Sequence, residues 1–224
     1  MTPKTLTGEK LAQPRVVPTP FHSRTSAACK SNQWSRWAGY MTVDVYDSVE
    51  LEYFAIRNNA TLFDISPMTK YRIGGPDAGR YLNRLVTRDL RKLAPGRVTY
   101  VAWCDDEGHV LDDGTIFRLG EQDYRLCSQE RHLSWLTDCA IGFDVTIEDE
   151  SEAVAGLALQ GPTSCSVLKR LGLEGVETLR PFQMRDFDFA GGKPTVSRTG
   201  FTGDLGYELW IAPDQAETLW ARCV

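Results

Sequence analysis

Two stretches of this chain repeat one arrangement, and that repetition restricts the folds open to it more than any single motif. Tyr71-Arg72-Ile73-Gly74-Gly75-Pro76 leads into Asp77 to Val86, and Leu157-Ala158-Leu159-Gln160-Gly161-Pro162 leads into Thr163 to Leu171. Each reads as a strand, a Gly-Pro pair and a helix. Proline is tolerated near a first helical turn, where its missing N–H costs nothing, and both helical stretches place Leu, Val or Tyr three and four residues apart. The repeat suggests two α+β subdomains of similar build. Gly-Pro is also a common strand-to-helix junction, so the pair alone admits either reading.

Between the two copies the pattern is that of a β-meander. Val98 to Cys104 is followed by a turn at Asp105-Asp106-Glu107-Gly108, then by His109 to Leu119, a turn at Gly120-Glu121-Gln122, and Asp123 to Cys127. Helical spacing recurs in Ser48 to Asn59, Glu130 to Ala140 and Pro213 to Val224. Thr61 to Ile65 and Phe143 to Ile147 read as strands. Residues 1–20 hold Pro3, Pro14, Pro18 and Pro20 without periodicity, which predicts an extended arm. The expected division is this arm, a first α+β subdomain of residues 21–48 plus 141–224, and a second of residues 49–140 that carries the meander.

Charge and composition exclude several function classes. Lys plus Arg is 25 against Asp plus Glu 30, and without a basic stripe the chain does not match a nucleic-acid groove. No apolar run approaches the roughly 20 residues that span a bilayer, and the first residues lack the apolar region of a secretory leader, so no membrane and a cytoplasmic location are expected. Cys29, Cys104, Cys127, Cys139, Cys165 and Cys223 show no close pairing and read as reduced core thiols. His22, His109 and His132 are scattered, which gives no metal-ligand spacing.

Two places carry candidate chemistry. If the Asp105 to Gly108 turn closes symmetrically, Tyr100 lies across from Asp113, and a phenol and a carboxylate about 5 Å apart could address one ligand. A one-residue bulge would break that pairing, and the other reading is a solvated strand end loosened by Asp112, Asp113 and Gly114. The second place is the glycine-rich segment from Ser197 to Trp210. It lacks the Gly-Lys-Ser/Thr of a phosphate loop. Within it Glu208 stands among Tyr207, Leu209, Trp210 and Ile211, where either alternation turns it to solvent or burial demands a partner. A heterocycle edge with two parallel N–H donors would match its two oxygens.

Taken together and in order, Leu62-Phe63-Asp64-Ile65-Ser66-Pro67-Met68, the Asp112-Asp113 pair, Leu157 to Pro162, and Arg198-Thr199-Gly200-Phe201-Thr202-Gly203 through Gly206-Tyr207-Glu208 resemble the folate-dependent aminomethyltransferase family, that of the glycine cleavage T protein. The likeness covers about Pro18 to Val224. It implies an α+β aminomethyltransferase folate-binding fold, two interleaved subdomains around a folate channel, with a C-terminal β domain expected beyond Val224. It also implies tetrahydrofolate as cofactor, a small-molecule one-carbon donor and a lipoyl carrier protein as partner. By that resemblance Glu208 holds the pterin edge. Tyr100, Phe201 (a tyrosine in many relatives) and Phe117 wall the ring system, and Asp113 sits by the folate N10 as the catalytic carboxylate. His109 and Gly114 depart from the family pattern, which commonly has Gly and Leu there. The same scaffold also serves tetrahydrofolate-dependent S- or O-demethylases, and a non-catalytic folate-binding module or inactive fragment is a third expectation.

Overall fold

The computed structural model describes residues 16–224. The prolines at 3 and 14, and with them most of the expected arm, lie outside the described residues. In chain order the elements are β1 (Val17–Pro18), α1 (His22–Ala28), β2 (Gln33–Trp37), β3 (Tyr40–Val45), α2 (Val49–Asn58), β4 (Thr61–Asp64), β5 (Thr69–Gly74), α3 (Ala78–Leu85), β6 (Arg97–Cys104), β7 (Val110–Gly120), β8 (Asp123–Ser128), α4 (Leu133–Cys139), β9 (Thr146–Asp149), β10 (Ala155–Gln160), α5 (Ser164–Arg170), β11 (Met184–Asp186), β12 (Thr195–Ser197), β13 (Gly206–Ile211) and α6 (Ala216–Cys223). They form a small sheet ordered β1-β3-β2 and two five-stranded sheets, β11-β12-β13-β10-β4 and β6-β7-β8-β5-β9. No helix among the described residues is long and apolar enough to cross a membrane.

The repeat is real at the level of backbone geometry. Gly75 and Gly161 adopt φ of +122° and +128°, conformations that side chains rarely enter. A Cβ on Gly75 would meet the Asp144 carbonyl at 2.6 Å, and one on Gly161 the Asn59 carbonyl at 2.4 Å. In each copy the glycine lets a strand turn into its helix while the segment leading to an edge strand passes close by. Those edge strands are exchanged relative to the expected division. β4 pairs with β10, and β9 pairs with β5. Residues 61–64 therefore join the sheet assigned to the first subdomain, and 146–149 join the second, because backbone pairing at a sheet edge and not sequence proximity sets membership.

Each five-stranded sheet is covered on both faces. On β13, alternation sends Tyr207, Leu209 and Ile211 to a core shared with α5, α6 and Phe21 at the start of α1, including Leu168, Leu219 and Trp220. On the other sheet, Tyr71, Ile73, Trp103, Ile116 and Leu126 pack with Tyr81, Leu82 and Leu136 of α3 and α4. The remaining two faces meet each other through Ile65, Val98, Phe117, Cys127, Ala158 and Trp210. Of Cys104, Cys127 and Cys165, all expected in the core, Cys127 alone is fully buried. The β2–β3 hairpin lies at the open end of this seam, where a cavity begins.

Candidate functional site

Where the two sheets diverge they enclose a cavity of about 1090 Å³, a size suited to a cofactor-scale ligand. The hairpin contributes Arg36, Trp37 and Thr42 to its lining, and the end of β4 with the segment after it contributes Asp64, Ile65 and Met68. One sheet supplies Tyr100, Asp113 and Thr115, and the other supplies Thr199, Phe201 and Glu208. Four of the five expected site residues, Glu208, Asp113, Tyr100 and Phe201, thus line one space.

Glu208 is at its inner end and only 8% exposed. It does not turn to solvent, because the face of β13 opposite its helix-side core is covered by the second sheet. The strand register sets Ser197 beside it, and Ser197 and Thr199 fall on one face by alternation. The Thr199 hydroxyl donates to Glu208 Oε2 at 2.7 Å and the Ser197 hydroxyl reaches the same oxygen at 3.5 Å. Oε1 has no partner among the described residues. Burial pushes the Glu208 carboxyl above the usual range, and the two hydroxyls offset part of that rise. A buried, half-satisfied carboxylate facing a cavity is suited to a ligand with N–H donors.

The loop before Glu208 is held by close packing. The buried Gln160 amide donates to the carbonyls of Thr199 and Tyr207 at 3.4 and 3.3 Å, and the Thr202 hydroxyl donates back to Gln160 Oε1 at 3.2 Å. A Cβ on Gly200 or Gly206 would lie 2.0 or 2.1 Å from that same oxygen, so both glycines serve the close approach. Arg57 of α2 donates to the Thr202 carbonyl at 2.9 Å and to Asp204 at 2.6 Å, which ties the helix to the loop.

Tyr100 and Asp113 meet, though not as direct partners. A bulge between Trp103 and Cys104 shifts the register, so that Tyr100 lies across from Thr115 and Ala102 across from Asp113. The two side chains remain on one face as diagonal neighbours, within aromatic reach. The Tyr100 hydroxyl donates to Asp113 Oδ2 at 2.5 Å, and this carboxylate pushes the phenol's pKa up. Asp112 points the other way and is structural. It accepts from the Glu130 N–H at 3.1 Å and contacts His132 Nε2 at 3.0 Å. Gly114 has a local reason of its own, because a Cβ there would lie 2.0 Å from the Cys127 carbonyl.

Phe117 is a correction. It shares a face with Asp113 and Thr115 but sits deeper, wholly buried and edge-on to Trp210 with centroids 5.6 Å apart, so it joins the sheets beneath the cavity and does not wall it. Phe63 takes that place, in edge contact with the exposed Phe201 at 5.6 Å. Sequence reasoning also missed Ser197, Thr199, Asp64 and Lys70. Asp64 accepts from the Thr19 hydroxyl at 2.5 Å and the Ser66 N–H at 3.0 Å, and burial raises its pKa. Lys70 is completely buried, donates to the Ser66 carbonyl at 2.8 Å, and is pulled down to about 8 chiefly by desolvation. The two-residue spacing of Ser197, at the end of β12, and Thr199, just beyond it, was the one signal available for any of these.

Residues 21–224 match the model of the GCVT N-terminal domain. An aminomethyltransferase from Bacillus subtilis (strain 168) is 38% identical over 184 residues, which cover 80% of this chain and 51% of that one. An aminomethyltransferase from Geobacillus thermodenitrificans (strain NG80-2) is 41% identical over 180 residues, 78% of this chain and 49% of its own. The chain spans about half the length of the curated relatives it matches. Among solved structures, the glycine cleavage system aminomethyltransferase T from Bartonella henselae superposes with a TM-score of 0.82 at 26% identity, over 93% of this chain and 57% of that one. The heterotetrameric sarcosine oxidase from Corynebacterium sp. U-96 shares the fold, with a TM-score of 0.57 at 13% identity, over 92% of this chain and 91% of that one.

Proposed function

This chain belongs to the GCVT N-terminal domain family, and from that premise we propose that its cavity binds tetrahydrofolate and that the protein carrying it moves a one-carbon unit from an amine-bearing donor to that folate. The observation that supports this best is Glu208. One of its oxygens is held by Thr199 and Ser197 while the other faces the cavity without a partner among the described residues. The parallel N–H donors of a pterin edge would engage such a carboxylate in bidentate fashion. Tyr100, Phe63 and Phe201 offer aromatic surface for the flat rings, and the cavity volume suits a ligand of that size.

Bound tetrahydrofolate would supply the nitrogen that accepts the carbon. The protein's share is orientation and charge. Glu208 orients the ligand from the inner end. Asp113 stands nearer the mouth, on a strand, with the Tyr100 hydroxyl donating to it. A carboxylate so placed can hold or pass a proton and offset positive charge as it develops, the kind of preorganised electrostatics that often supplies the largest catalytic term. The lining carries Asp44, Glu52, Asp64, Asp113, Glu130 and Glu208 against Arg36 and Arg88. That balance favours a cationic donor, an amine or a sulfonium, over an anionic aryl ether. A lipoyl carrier protein that presents the amine belongs to the same proposal.

Calorimetric titration with a stable N-formyl tetrahydrofolate tests the reading. Glu208→Ala is expected to weaken binding by about 10- to 100-fold, the loss of a charge-assisted pair of hydrogen bonds. Unchanged affinity in that variant would remove Glu208 from the site. In a protein that turns over, Asp113→Asn should lower kcat far more than folate affinity, and equal losses in both would count against a role in the chemical step.

A further inference from the structure

Among the described residues the chain passes between the two five-stranded sheets twice, through residues 65–68, which join β4 to β5, and through residues 150–154, which join β9 to β10. Both connections meet at Lys70 of β5. Its ammonium donates to the Ser66 carbonyl in the first at 2.8 Å. Its backbone N–H donates to Ser151 Oγ in the second at 2.9 Å, and its carbonyl accepts from the Glu150 N–H at 2.9 Å. Lys70 is wholly buried, yet its ammonium, with three N–H groups to satisfy, has one acceptor among the described residues. The charged groups that face it are Asp64 at the end of β4, Arg125 of β8 and Glu150 in the second connection. Arg125 and Glu150 pair with each other, and Cys127, directly across from Lys70, is a thiol that burial pushes up to about 12. A buried cation without a carboxylate partner weakens the fold, and an apolar residue of similar length would pack there at least as well. A charge kept against stability points to a role in function.

We propose that Lys70 is a positioning residue for the cavity: by clamping together the two connections between the sheets, it sets the spacing of the wall that carries Asp113 from the wall that carries Glu208. Asp113 stands on β7, in the sheet of Lys70, and Glu208 on β13 in the other. The clamped segment is itself part of the lining, through Ile65 and Met68 beside Asp64. Its far side is tied to the second sheet, where the Ile65 N–H donates to the Gly156 carbonyl at 3.0 Å and the Gly156 N–H to Ser66 Oγ at 3.2 Å. A charge-assisted bond to the Ser66 carbonyl therefore pulls the edge of one sheet onto the other, and a neutral amine holds it less firmly. A ligand that touches both walls binds only as well as their spacing is held. The identity of that ligand rests on the folate reading above, whereas the clamp does not.

The experiment compares the native chain with Lys70→Met by calorimetric titration of N-formyl tetrahydrofolate, by thermal unfolding and by native-state hydrogen exchange. Lys70→Met should bind the folate about fivefold more weakly or worse, the lower end of couplings between separate sites, while melting at or above the native temperature near pH 7. The fold lowers the Lys70 pKa from 10.5 to about 8, so its charge weakens the fold in full below about 8 and less as pH rises toward 10.5. The difference in melting temperature should narrow over that range. Native affinity should fall between about pH 7 and 9 as the ammonium loses its proton, and that of the variant should fall less, since Asp64 and Glu208 are present in both. The Val98 and Met184 amides, which donate across the seam, should exchange faster in the variant. Unchanged affinity or parallel pH profiles overturn the proposal, as does a loss of affinity matched by a lower melting temperature. If Lys70→Met does not fold by circular dichroism, Ser151→Ala, which removes the acceptor of the Lys70 N–H, takes its place. A loss of about twofold or more is then expected, and no loss overturns the clamp. If the folded native chain binds no folate, the folate reading falls and exchange decides alone: faster exchange at Val98 and Met184 in the variant keeps the clamp, and unchanged exchange removes it.

Discussion

Glu208 is a carboxylate whose charge the fold does not welcome. Its pKa is raised from the ordinary 4.5 by burial. The folded state thus holds its proton more tightly than the unfolded chain, so its contribution to stability is complete below about 4.5 and is lost as pH rises through the raised value. Asp64, also raised by burial, acts in the same direction. Glu208→Gln keeps the shape and the hydroxyl contacts but carries no charge. In thermal unfolding it should be more stable than the native chain at pH near 7, with the difference closing as pH falls toward 4, and it should lose folate affinity at the same time. A difference independent of pH would mean that the fold does not raise the Glu208 pKa above that of the unfolded chain. This residue was legible in the sequence as a charge out of place among apolar neighbours. Which way it pointed was not, because that depended on whether the far face of β13 was covered, and the covering sheet is built from residues far away in the chain.

At the scale of elements, the strand, Gly-Pro and helix repeat was readable because a left-handed backbone next to a close carbonyl leaves glycine little competition. The meander was readable for the same kind of reason, since its turns carry Asp-Glu-Gly and Gly-Glu-Gln. The β2–β3 hairpin was not. Its turn uses Ala38 at φ 47° and Gly39 at φ 91°, and alanine in a left-handed position gives no sequence signal of a hairpin. The exchange of β4 and β9 was equally hidden, as a four-residue strand does not declare its sheet. The link from α2 to the site is an element-scale contact with a testable consequence. Arg57→Ala removes the bonds to Thr202 and Asp204. The pair is partly exposed and screened by solvent, so the melting temperature should fall only slightly. Folate affinity should still weaken several-fold, because the loop that carries Phe201 loses a tether. Unaltered affinity would show that Gln160 alone positions the loop.

For the whole molecule, the family resemblance carried the fold class and the pooling of Tyr100, Asp113, Phe201 and Glu208 around one cavity, neither of which composition or periodicity could supply. It placed Phe117 on the cavity wall, whereas contact with Trp210 takes that ring into the floor. The three cores are unequal. Among the described residues, the helix-backed cores hold 18 and 13 buried apolar residues, and the seam between the sheets holds six. Cooperative opening should begin where burial is least. In native-state hydrogen exchange, the amides of Met184 and Val98, which donate to the Gly96 and Phe182 carbonyls across the seam, should exchange faster than those of β8 or β10. A saturating reduced folate should slow them most, and uniform slowing across all three cores would contradict this.

That inequality has a consequence for how the protein spends its binding energy. The two larger cores are complete without any ligand, so a guest in the cavity contributes little to folding either block and nearly everything to fixing one against the other. The guest acts as a keystone set into an arch whose two piers already stand.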